Sequence, residues 1–216
     1  MITEEVYSRF LELLLKGERA ECTRIVRELL DQGIDIHGLY QDLFQRSLYR
    51  VGELWEQNRI TVAREHLATA ITEGLLNLVY PRLFEKASRQ KNKTVVISCA
   101  ANEYHQIGGK MVADTFELQG WDAHFLGSNT PVPDLLAHIQ EVEPDLVGLS
   151  LSVSFNMPQL QKSIEEIRAN FHNLDVLVGG QAFRRESSGF LKKFRGTHYI
   201  RSLEGLEAEI ADEADK

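Results

Sequence analysis

Glu103 and His105 lie two residues apart in the stretch Asn102-Glu103-Tyr104-His105-Gln106-Ile107-Gly108-Gly109, and they are the residues best suited to chemistry. In extended backbone, residues i and i+2 point to the same side. The carboxylate can therefore hydrogen-bond one imidazole nitrogen and leave the other for a metal ion. Such a carboxylate fixes the tautomer and raises the basicity of the ligand. Taken alone, the pair also reads as a satisfied loop histidine, and the rest of the chain has to decide.

The elements that must position this pair are legible on both sides of it. Thr94-Val95-Val96-Ile97-Ser98-Cys99 reads as a buried strand, and the glycine pair ahead of the amphipathic Lys110 to Leu118 segment reads as a loop opening into a helix. Further strands are expected at Asp122–Leu126, Leu146–Ser150, Leu174–Val178 and His198–Ile200. Helices are expected at Gly108–Gln119, Pro133–Glu141, Met157–Asn170, Phe183–Lys193 and Leu203–Ala211. Alternating strands and helices of this size predict a flavodoxin-like (Rossmann-like) five-stranded parallel sheet over residues 91–216, with 2-1-3-4-5 as the default strand order. Ligands of such sheets sit outside the carboxyl ends of the strands. His105, Gly127-Ser128-Asn129-Thr130, Ser150-Leu151-Ser152 and Gly179-Gly180 all collect there.

Residues 1–90 contain no convincing strand. Val6, Phe10, Leu13 and Leu14 recur at helical spacing up to Gly17, and Ala20, Cys22, Ile25, Val26, Leu29 and Leu30 resume it until Gly33. Ile36, Leu39, Tyr40, Leu43, Phe44, Leu48, Val51, Leu54 and Trp55 mark a longer helix ending near Asn58. A fourth helix, capped by Thr61, runs towards Phe84 with a kink expected at Pro81. The reading is an all-α four-helix bundle, joined through a linker at Arg89–Lys93 to the α/β domain.

Bulk properties narrow the function classes. The 216 residues are 43% hydrophobic and 26% charged with a net charge of −8, which disfavours direct binding to nucleic acid or to an anionic membrane. The local basic run with Arg184, Arg185, Lys192, Lys193 and Arg195 reads as a solvated helix face. Cys22 and Cys99 are far apart and suit free buried thiols of a cytoplasmic protein. No secretory signal is visible, and no run reaches the roughly 18 apolar residues of a membrane span. His37, His124, His138, His172 and His198 show no metal-ligand spacing.

A helical bundle followed by a sheet domain with Glu-x-His-x-x-Gly (Glu103, His105, Gly108), Ser-x-Ser (Ser150, Ser152) and Gly-Gly (Gly179, Gly180) resembles the cobalamin-binding module of methionine synthase and its relatives. Their pattern is Asp-x-His-x-x-Gly, Ser-x-Leu and Gly-Gly, so Glu103 and Ser152 are departures. The resemblance implies that His105 replaces dimethylbenzimidazole as the lower cobalt ligand. It also implies that the nucleotide tail passes Ser150 and Ser152 to reach Gly179 and Gly180, with Gly108 allowing close passage. Gln106 and Thr130 complete the expected contacts of this domain.

Trp55 is followed after nine residues by Glu65-His66, which is similar to the Trp-x9-Glu-His signature of CarH-type adenosylcobalamin photoreceptors, as is the segment from Leu126 to Leu135. That resemblance implies that Trp55, Glu65 and His66 cap the upper face of the corrin. On the residues alone, Trp55 also reads as a bundle-core aromatic four residues beyond Val51, and Glu65 and His66 as ordinary first-turn residues. Glu56 stands where those photoreceptors carry a histidine, with His66 as the substitute upper ligand. The bundle begins near residue 4, without the repressors' helix-turn-helix ahead of it, so output is expected through a protein partner or self-association. The expectation is a light-sensing or signalling module, not an enzyme, that binds adenosylcobalamin base-off. The alternative is a corrinoid shuttle protein of a methyltransferase system, carrying methylcobalamin.

Overall fold

β-Branched and apolar residues occupy nearly every position of Thr94–Cys99 and Leu146–Ser150, and strands of that composition must be covered on both faces. The computed structural model describes residues 1–86, 91–184 and 188–212. By internal contacts the chain divides into two units, Met1–Lys86 and Ala87–Lys216.

The second unit is built on five parallel strands, β1 (Thr94–Cys99), β2 (Asp122–Phe125), β3 (Leu146–Ser150), β4 (Asp175–Gly179) and β5 (Thr197–Tyr199), in the order β2-β1-β3-β4-β5. This is the flavodoxin-like order expected from the sequence. Four helices follow within the described residues of this unit: α6 (Ile107–Leu118), α7 (Val132–Val142), α8 (Met157–Asn170) and α9 (Leu203–Asp212). Successive strand residues serve opposite faces. Val96, Val147, Leu149, Val176 and Val178 pack with Leu135 and Ile139 of α7 and Leu160, Ile164 and Ile167 of α8. Val95, Ile97, Leu146 and Leu177 pack with Ala113 and Phe116 of α6 and Leu206 and Ile210 of α9. Each fully covered aliphatic side chain contributes about 1.5–3 kcal/mol, so these two layers hold the strand ends rigid.

One helix expectation fails. Phe183–Lys193 is not an α-helix but two short 3-10 segments, Gln181–Arg184 and Ser188–Lys193, with Arg185 outside the described residues. The sequence there contains Ser187-Ser188-Gly189, poor helix formers, and Phe183 instead packs against Phe190 and Tyr199, with ring centroids 6.4 and 5.0 Å away. The expected linker lies partly outside the described residues, which resume at Lys91.

The first unit is helical: α1 (Glu4–Lys16), α2 (Arg19–Asp31), the single turn α3 (Ile36–Gly38), a π-helical segment (Leu39–Gln45), α4 (Arg46–Glu56) and α5 (Val62–Lys86). Thr3 caps α1 by accepting from the Val6 N–H at 3.3 Å, and α5 runs through Pro81. The expected single helix from Ile36 to Trp55 is thus interrupted by a wide turn. Leu39, Tyr40, Leu43 and Phe44 of that turn are buried. Ser47, Val51 and Leu54 then face the core, while Leu48 is only half-buried and Trp55 is 47% exposed. Among the described residues, no helix is long and apolar enough to cross a membrane.

Candidate cofactor site

Three loops leave the carboxyl edge of the sheet after β1, β2 and β3, and Glu103 joins two of them. Its side chain is fully buried. Oε1 accepts from the His105 ring Nδ1–H at 2.6 Å and from the His105 backbone N–H at 2.9 Å. Oε2 accepts from the backbone N–H groups of Ser152 and Val153, both at 2.9 Å. Burial raises the carboxyl's proton affinity, but the four donors outweigh it, and the pKa falls from 4.5 to about 2. Glu103 is therefore a charged acceptor at any physiological pH. It holds the proton on Nδ1, which makes Nε2 the nitrogen with the lone pair.

The third loop is tied in by asparagines. The Asn129 N–H donates to the Glu103 carbonyl at 2.8 Å, the Asn102 N–H donates to Asn129 Oδ1 at 2.9 Å, and Asn156 Nδ2 donates to the Asn102 carbonyl at 3.0 Å. Asn102 and Asn129 both adopt positive φ, 65° and 51°, a region that asparagine tolerates better than most residues. These contacts escape a reading built on Glu103 and His105. The asparagines in Ala101-Asn102-Glu103 and Ser128-Asn129-Thr130 were the available signal. Val153 could not have been found from its side chain, because only its N–H is used.

The other expected residues fall as follows. The His105 side chain is 54% exposed at the sheet edge. Gln106 sits at the N-cap position of α6, and its Oε1 lies 3.2 Å from the point a Cβ on Gly127 would occupy. Gly108 begins α6 beside open space, since a Cβ there would have no neighbour within 4 Å. Gly109, by contrast, packs on the sheet, where a Cβ would stand 3.1 Å from Phe125. Thr130 is half-buried in the β2–α7 loop, Ser150 is buried at the end of β3, and Ser152 is half-buried with its backbone committed to Glu103. Gly179 ends β4, and Gly180 has φ +116°, where a Cβ would overlap the Leu151 carbonyl oxygen. Gly180 is thus explained by close approach of its own chain.

In the helical unit, Trp55 lies in the last turn of α4, with Glu65 and His66 in the first turns of α5. The Trp55 exposure overturns the core-aromatic alternative. Thr61 accepts from the Arg64 N–H at 3.3 Å as the expected cap. Glu65 accepts from the Thr69 hydroxyl at 2.9 Å, and its other oxygen lies 3.5 Å from His66 Nε2.

A half-exposed imidazole with a fixed tautomer can supply one ligand to a metal. Among the described residues, no group of three or more His, Cys, Asp or Glu side chains is arranged to hold a bare ion. One imidazole beside an open glycine suits a metal that arrives with its other ligands already in place, as in a corrin, so the residues fit a cobalamin. Cys99 beneath the loop is no competing ligand. Burial and the Glu103 charge push its thiol to about 12.

Comparison with known proteins agrees with this geometry. The profile of the B12 binding domain matches residues 93–211, and a second profile of the same description matches residues 6–80. Trimethylamine corrinoid protein 1 of Methanosarcina acetivorans is 23% identical over 181 residues, covering 82% of this chain and 83% of its own length. The HTH-type transcriptional repressor CarH of Myxococcus xanthus is 29% identical over 146 residues, covering 67% of this chain and 48% of its own. The solved monomethylamine corrinoid protein of Methanosarcina barkeri shares the fold, with a TM-score of 0.82 at 13% identity, across 99% of this chain and 98% of that one.

Proposed function

This chain belongs to the B12 binding domain family, and we propose that within it the protein is a corrinoid carrier for methyl transfer, working with separate methyltransferase partners and not itself an enzyme. The observation that supports cobalamin binding is the Glu103–His105 pair: a buried, charged carboxylate holds the Nδ1 proton, so that Nε2 would be the nitrogen to hold cobalt. When bound, the corrinoid supplies a cobalt centre able to take up and give up a methyl group. Glu103 orients the imidazole and lets its basicity rise or fall with the strength of one hydrogen bond. Gly108, Ser150, Ser152, Gly179 and Gly180 are assigned to the nucleotide tail, and Gln106 and Thr130 to the rim of the loops. Trp55, Glu65 and His66 are the residues of the helical unit assigned to the upper ligand.

Support for a carrier comes from the share of this chain that each likeness spans, 82% for trimethylamine corrinoid protein 1 against 67% for CarH. A second reading, a CarH-type sensor of light or of adenosylcobalamin, is favoured by the Trp-x9-Glu-His spacing and the exposure of Trp55. Both readings place the protein in the cytoplasm. Competition between methylcobalamin and adenosylcobalamin in the dark, followed by green illumination and size-exclusion chromatography, separates them. A carrier prefers methylcobalamin and keeps its elution volume. Preference for adenosylcobalamin with a light-dependent change in elution overturns the carrier in favour of the sensor, and binding of neither overturns both.

A further inference from the structure

We infer that His124 and His138 form a second, separate metal site, a bidentate imidazole pair for a divalent transition ion of the Zn2+ class. His124 is the third residue of the edge strand β2, and His138 lies in α7. The two lie fourteen positions apart, which is no metal-ligand spacing, so only the fold reveals the pair. His124 Nδ1 and His138 Nε2 face each other at 3.2 Å, with ring centroids 5.3 Å apart and planes tilted by 41°.

That separation matches what chelation requires. Two nitrogens each 2.0–2.1 Å from one ion stand about 3.3 Å apart at a tetrahedral angle and about 2.9 Å apart at a right angle. Without metal, the same geometry holds a hydrogen bond between the two rings. The ion takes the place of that hydrogen bond: the donor ring's proton moves to its own distal nitrogen, both rings bind as neutral imidazoles, and water completes the coordination. The distal nitrogen of His124 has a carboxylate behind it, since Asp122 Oδ2 lies 3.6 Å from Nε2. A carboxylate on the far side of a ligating imidazole orients the ring and strengthens it as a donor. His124 is one-third exposed and His138 half-buried, so an ion and its waters can reach both. Imidazole ligands select Zn2+, Cu2+ or Ni2+ over Mg2+ and Ca2+. A bound ion staples the edge strand to α7 across residues 126–131, the loop that carries Asn129 to the Glu103 carbonyl.

The test uses the untagged full chain and ZnCl2 in competition with a chromogenic chelator. Wild type is expected to bind Zn2+ at a site weakened at least tenfold by His124→Gln and by His138→Gln, several-fold by Asp122→Asn, and unaffected by His172→Gln. Absence of Zn2+ binding by wild type, or full affinity in both histidine variants, overturns the site. In unsubstituted, 15N-labelled protein, Zn2+ is expected to shift the His124 Nδ1 and His138 Nε2 resonances together. Shifts confined to other histidines overturn it independently of how any variant folds.

Discussion

Replacing Glu103 by glutamine changes one atom's chemistry and should unsettle the whole carboxyl edge. The carboxylate's two oxygens accept from the His105 ring and backbone on one side and from the Ser152 and Val153 N–H groups on the other. An amide has a single oxygen. Whichever way the glutamine turns, two buried donors lose their acceptor and face an NH2 group. At about 1–3 kcal/mol for each orphaned donor, the loss is several kcal/mol. The depressed pKa gives an independent figure: from 4.5 to about 2, at 1.36 kcal/mol per pH unit, the charged state contributes about 3 kcal/mol. The folded value lies below the unfolded one, so the folded chain binds fewer protons. The contribution is complete above about pH 4.5 and drains away as the pH falls towards 2. Trp121 is buried in the same unit, and in a Trp55→Phe background its fluorescence reports that unit's unfolding. Glu103→Gln should lower the transition by about 10 °C at pH 7 and remove this contribution to the acid dependence. A change within about 2 °C, with parallel acid profiles for the two proteins, would mean that the Glu103 charge does not hold these loops together.

The remaining predictions test the site residue by residue. His105→Ala should abolish the axial-histidine absorbance spectrum of bound cobalamin while leaving far-UV circular dichroism unchanged. Gly108→Ala, at an open helix position, should leave stability equal or raise it by about 0.5–1 kcal/mol in thermal melts, while weakening cobalamin binding in a spectral titration. Gly180→Ala should cost about 2 kcal/mol or more with or without cofactor, since φ is +116° and the Leu151 carbonyl stands in the way. Cys22 and Cys99, with thiols raised by burial to about 11 and about 12, should resist iodoacetamide at pH 8 in the native protein and react on unfolding, as mass spectrometry will show.

Much of the α/β unit was legible because its signals are local. Val95-Val96-Ile97 and Leu146-Val147 can only be buried strands, and their alternation with amphipathic helices dictates a parallel sheet. The Glu103–His105 contact was legible for a similar reason, as two side chains two residues apart. The rest of the carboxylate's environment was not, because Ser152 and Val153 contribute backbone N–H groups from another strand's loop, and no residue type encodes that. The exposure of Trp55 was not legible, because its spacing from Val51 also fits a buried stripe. Helical spacing admits both Leu54 and Trp55 to the stripe that passes through Val51, and burial falls on Leu54 while Trp55 stands outside it. Phe183–Lys193 misled because its aromatics satisfy a helical stripe while packing on one another through tighter turns. The pairing of His124 with His138 lay beyond any spacing rule, since the fold alone sets α7 against the edge strand.

If His105 holds cobalt in a protein-bound cobalamin, electron paramagnetic resonance of the one-electron-reduced cofactor will register its nitrogen. The protein is produced with 15N-labelled histidine and loaded with unlabelled cobalamin. The axial nitrogen splitting should change from the triplet of 14N to the doublet of 15N. A triplet that survives labelling would mean that the cofactor keeps its own base and would contradict the assignment.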